Sequence, residues 1–216
     1  MPARRGILLI VSLAIASLGA AVDAHAGFDR VPGSSERVGD GERYRFTVAV
    51  EDKLGIDRKE FGREVERTLL DDRSWTASGE VSFQRVGRGG DTKVLLASPG
   101  TVDRLCSPLP TNGTYSCSQG RKVVINSRRW RHAVSHWSKG LENYRRMVVN
   151  HEMGHRIGHG HRDCPRKGKK APVMQQQSIA LQGCDENWWP LRRELRSTGK
   201  VAAAASSIDA SVRSLE

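Results

Sequence analysis

Of the chain's 216 residues only four are cysteines, and no two stand in a C-x-x-C pair, which argues against a four-cysteine zinc site. Aromatic residues make up 6% of the sequence. They form no RNP-like motif, zinc-finger spacing is also missing, and nucleic acid is not an expected partner. Beyond residue 26 no run approaches the roughly 18 apolar residues of a spanning helix, so no transmembrane span is expected once the N-terminus is removed. No internal repeat is visible, and the length suits one domain with tails. Acidic residues are the minority, 24 against 35 basic ones, for a formal net charge of +11. Such a surface would be drawn to polyanions, among them an anionic cell envelope.

The N-terminus has its own pattern. Met1–Arg5 is a short basic start, Gly6–Val22 is an apolar run, and Ala24 and Ala26 supply the A-x-A spacing of a signal peptidase site. Residues 1–26 therefore read as a signal peptide, with retention as an anchor as the alternative, and the protein is expected to be secreted or extracytoplasmic. In that compartment the even set Cys106, Cys117, Cys164 and Cys184 argues for two disulfides. Three connectivities are open, and the simplest joins sequence neighbours.

Residues 27–42, rich in Gly, Ser and charge, are expected to be a flexible leader. Alternating or apolar runs predict strands at 44–52, 80–86 and 92–98, and a hairpin within 113–126. Phe61, Val65 and Leu69 stand at helical spacing in 57–72. A short helical turn is expected at 102–105. Leu141, Tyr144, Val148, His151 and His155 form one stripe of a long helix ending near Ile157. An irregular stretch follows, then a short helix within 189–196, and an Ala/Ser-rich tail, 197–216, expected to be disordered. The fold class is α+β, with one globular domain over 43–196.

The chemistry concentrates in HEMGHRIGHGH, residues 151–161. On a helix, His151 and His155 project from the same face one turn apart, the spacing at which two imidazoles ligate one Zn²⁺. Glu152 is rotated by roughly 100° from His151, where it serves water at the metal without being a ligand. Gly158 ends the helix and lets the chain turn back, bringing His161 round as a third ligand. His159 is the rival for that place, but the longer spacing favours His161. Three neutral histidines leave a fourth position for water, the mark of a catalytic site with one Zn²⁺. His132 and His136 read as surface or packing residues.

This string resembles the elongated zinc motif of the metzincin metallopeptidases. More widely, FQRV, VLLASPGTVDRLC, YSCSQGRKVVIN, RRMVVNHEMGHRIGHGHRDCP and PVMQQQSIALQGC resemble a secreted actinobacterial family of unknown function that carries this motif. The metzincin resemblance implies a twisted mixed sheet with backing and active-site helices above a cleft, and a small irregular subdomain below. It also implies a methionine turn, for which Met174 is the candidate. Some metzincins place a tyrosine two residues after that methionine, and this chain has Gln176. A disulfide between Cys164 and Cys184 would clamp the Met174 loop. The basic stretch 166–170 reads as a solvated loop, or else as a preference for acidic groups beyond the cut.

The expected activity is hydrolysis of peptide or protein substrates, with zinc-held water activated by Glu152 and an edge strand, 92–98 or a neighbour, holding the substrate extended. The alternatives are a zinc amidase acting on cell-wall amides and a non-catalytic zinc-containing envelope-binding protein.

Overall fold

A computed structural model describes residues 27–196. The expected signal peptide, 1–26, and the expected tail, 197–216, lie outside the described residues. The core element is a twisted mixed sheet of seven strands: β1 (Phe28–Arg30), β2 (Val38–Gly39), β3 (Glu42–Glu51), β4 (Val81–Arg85), β5 (Thr92–Ala97), β6 (Cys117–Gln119) and β7 (Lys122–Asn126). The order across the sheet is β2-β4-β3-β5-β7-β6. Strands β4, β3, β5 and β7 run parallel to one another, while β2 and β6 close the two sides antiparallel. β1 pairs antiparallel with Ala49–Glu51, beyond the stretch of β3 that β4 covers.

Successive residues of the parallel strands point to opposite faces and supply two cores. Phe46, Val48, Val94, Leu96, Val123 and Ile125 face α1 (Arg58–Leu69) and α4 (Leu141–Arg156), where Phe61, Val65, Leu69, Tyr144 and Met147 meet them. Leu95, Ala97 and Val124 face the other way, onto α2 (Pro99–Cys106) and the Cys106–Cys117 disulfide. α1 starts at Asp57, whose Oδ1 accepts from the backbone N–H of Lys59 and Glu60, an N-cap worth about 1 kcal/mol. An Arg145–Glu60 ion pair at 3.0 Å ties α1 to α4.

The α+β expectation holds, β3, β4 and β5 fall within two residues of the expected ends, and both long helices start within one residue of where the periodicity placed them, α1 stopping three residues early, at Leu69. Three features differ. Residues 27–42, expected to be a flexible leader, contribute β1 and β2, and the buried Val31 anchors them through a backbone bond to Val48. Val31 lacks any periodic neighbours, so pairing with β3 was not visible locally. Residues 127–131 form a short helix, α3, capped by the Asn126 side chain. β5, offered with its neighbours as a substrate-binding edge, instead lies between β3 and β7 and is buried on both faces; the order ends on β2 at one side and β6 at the other.

From Ile157 to Leu191 the described chain has no helix or strand. It is held by the Cys164–Cys184 disulfide, by pairing of Lys170 with Asp185, and by buried amides. α5 (Arg192–Leu195) follows. No helix among the described residues is long and apolar enough to cross a membrane.

Candidate metal centre

α4 carries His151, Glu152 and His155 on the face turned away from the sheet's interior and toward an open cleft of about 440 Å³. The helix stops after Arg156. Gly158 takes φ +98°, a backbone conformation that costs other residues energy, and the chain reverses. The reversal is sealed by the His159 N–H donating to the Gly154 carbonyl at 2.9 Å. It brings His161 back over the helix end. His155 Nε2 then lies 3.2 Å from His151 Nε2 and 3.0 Å from His161 Nε2. The three histidines form the one group among the described residues with the donors and proximity to hold a metal ion.

The donor set fits a zinc-like ion. Tetrahedral nitrogen ligands at ordinary zinc distances stand about 3.3 Å apart, close to the spacing found. The Nδ1–H of His151 donates to the Val173 carbonyl and that of His155 to the His159 carbonyl, each at 2.8 Å. Those bonds fix the tautomer and leave each Nε2 as a bare lone pair. Burial pushes all three imidazoles down, His151 to about 3, so they are neutral at pH 7, the form a metal requires. Burial runs from His151, almost enclosed, to His161, exposed at the mouth.

Glu152 shares the cleft but not the cluster. Its carboxyl is buried, makes no hydrogen bond or ion pair with the described residues, and is raised by burial to about 8. His159 is turned the other way, its ring stacked on Trp75 at 4.3 Å and 22°, with no partner for its buried Nε2. Of the two rivals after Gly158, His161 faces the cluster. His132 and His136 are exposed, and His136 Nε2 bonds the Gln177 carbonyl.

The loop under the helix is equally specific. Met174 is fully buried against Gly154 and Trp75, its N–H donates to Glu194, and its carbonyl accepts from the Arg162 N–H at 3.1 Å. Its neighbour Val173 supplies the carbonyl that orients His151. Both disulfides join sequence neighbours, Cys106 with Cys117 and Cys164 with Cys184, the latter spanning the loop that carries Met174. Gln176 is exposed and lines the cleft. The basic loop 166–170 is exposed, and none of its residues lines the cleft.

Sequence reasoning missed three supports. Gly154 sits within the motif as an unassigned position. Glu194 caps the loop N–H groups of Val173 and Met174 from α5. Asn150 ties the helix outward, accepting from Ser74 and donating to the Trp188 carbonyl. The cleft's rim also holds Leu109 and Ile179, the two exposed large hydrophobics of the described residues, as a ligand-binding mouth often does.

No curated protein matches the chain. Residues 16–194, most of its length, match the model of the family described as protein of unknown function (DUF3152). A chain with its histidine triad on α4 and in the turn that follows, matched by that model over most of its length, belongs to the DUF3152 family.

Proposed function

We propose that the protein is a secreted zinc metallopeptidase of metzincin type, with His151, His155 and His161 as ligands and Glu152 as general base. The observation that carries this reading is the convergence of three bare imidazole nitrogens beside a buried carboxyl that has no structural partner. A structural metal site needs ligands and no spare acid. Zinc, when bound, supplies a Lewis acid that polarises the scissile carbonyl and acidifies water. Glu152, held as the carboxylate beside a cation, takes the proton of the attacking water and returns it to the leaving amine nitrogen. His151 and His155 stay oriented through their bonds to the Val173 and His159 carbonyls. Edge strand β6, with Cys117 and Ser118 in the cleft wall, holds an extended substrate. Gln176, where some metzincins have tyrosine, offers an amide donor at the rim. The two disulfides suit an oxidising, extracytoplasmic location.

The test is cleavage of a diverse peptide mixture by zinc-loaded protein, read by mass spectrometry beside Glu152→Ala. Cuts made by the wild type and lost in the variant are the expected result. A folded protein with one zinc that cuts nothing would turn the reading toward an amidase of cell-wall amides, which the net charge of +11 also suits. If zinc removal unfolded such an inactive protein, the metal would be structural and the protein an envelope binder.

A further inference from the structure

The cleft holds one cation that the proposed chemistry does not use. Among the described residues Arg129, on α3, is the only Lys or Arg that lines it, and Glu152 the only carboxylate. The Arg129 Nε–H donates to the Thr114 carbonyl at 3.1 Å, which holds the guanidinium plane in place. Its two Nη groups form no hydrogen bond or ion pair with the described residues. Nearby arginines are spent differently: Arg145 pairs with Glu60, and Arg146 with Glu142.

The charges of Arg129 and Glu152 both act on the hydroxyl of Tyr144, which is bonded to Ser178 at 2.8 Å. Tyr144 precedes His151 on α4 by two helical turns, about 10 Å along the axis. Met147 and Val148 lie between and line the cleft there. The cleft wall therefore combines the histidine triad, an apolar floor and an oriented guanidinium. A guanidinium fork with free Nη groups matches a carboxylate in two parallel hydrogen bonds, and a partly desolvated setting makes that match selective.

We infer that Arg129 is a specificity-determining residue that selects substrates carrying a carboxylate near the scissile bond, either an acidic side chain or the substrate's own free C-terminus. The inference rests on the peptidase reading. It places acid recognition inside the cleft, not in the basic loop 166–170.

The test uses zinc-loaded protein and peptides that differ only in Glu, Gln or Leu at each position around the cut, with free or amidated C-termini. Wild-type protein is expected to favour one carboxylate form by about tenfold or more in kcat/KM. A dependence on Glu at one position assigns a side-chain carboxylate, and a dependence on the free end assigns the terminus. The ratio should fall to near one in Arg129→Gln and survive in part in Arg129→Lys, which keeps the charge and loses the fork. Equal rates in the wild type, or a preference unchanged in Arg129→Gln, would overturn the inference while leaving the peptidase reading intact. Calorimetric binding of the same peptides to Glu152→Gln separates the two claims. If nothing is cut but carboxylate peptides bind about tenfold tighter through Arg129, the pocket stands and the peptidase reading falls. Equal binding there removes the pocket as well.

Discussion

A Cβ on Gly154 would lie 2.3 Å from the Met174 sulfur and 2.7 Å from the Trp75 ring. The helix that carries the histidines and the loop beneath them therefore touch through a missing side chain. Gly154→Ala should destabilise the fold by about 1–3 kcal/mol through overpacking, because Met174 can bend aside but the Trp75 ring cannot follow. Met174→Ala alone opens a cavity, at about 2–5 kcal/mol. The double variant should cost less than the sum of the two, a coupling that urea unfolding of all four proteins would measure. Strict additivity would mean that the contact carries no energy.

His161 and His159 give opposite outcomes on the proposed reading. His161→Ala removes a donor from the triad and should abolish tight zinc binding with little loss of stability, since its side chain is exposed. His159→Ala should keep one zinc per chain and lose stability instead, because its ring fills the space over Trp75. Metal content after dialysis and thermal unfolding of each variant check both halves. Zinc retained in His161→Ala and lost in His159→Ala would reverse the ligand assignment.

The triad was legible because its geometry is local: an i, i+4 pair on a helix, then a glycine turn that returns six residues later. Strands β3, β4, β5 and β7 were legible for the same reason, by alternation or apolar runs. What stayed hidden depends on partners far along the chain. Gly154 is required by Met174 and Trp75, Glu194 by the N–H groups of residues 173 and 174, and Val31 by pairing with β3. The order of the sheet is likewise a matter of which strand meets which, so the inner place of β5 could not be read from its own residues.

Acid should weaken one brace specifically. Arg73 grips Asp71 with Nε and Nη2 at 2.8 and 2.7 Å and lies over the Trp189 ring at 4.6 Å. The hydrogen bonds from Arg73 hold the Asp71 carboxyl at about 2, below its ordinary 3.8. A depressed folded value means the stabilisation is complete well above 3.8 and is lost as pH falls through about 2. Arg73 is largely exposed and Asp71 only partly so, which leaves about 0.2–1 kcal/mol at stake. Asp71→Asn should lower the midpoint of thermal unfolding at pH 7, and the gap to wild type should narrow as pH falls toward 2 and close below it. A gap that persists there would locate the effect in packing and not in charge.

Glu194 links α5 to the histidine triad through the backbone. Its carboxylate accepts from the N–H groups of Val173, Met174 and Leu191 at 3.0, 2.9 and 2.8 Å. The Val173 carbonyl in turn accepts from His151 Nδ1. Removing the acid strands buried donors at about 1–3 kcal/mol each and frees the loop that aims His151. Glu194→Ala should therefore lose stability and bind zinc about 10–100-fold more weakly, the usual scale for a group that orients a ligand. Glu194→Gln keeps one acceptor oxygen and should fall between the two. Chelator competition gives the zinc affinity, and measuring it at a temperature where every variant remains folded separates the two effects. A variant that unfolds earlier yet binds zinc as tightly as the wild type would confine Glu194 to the fold.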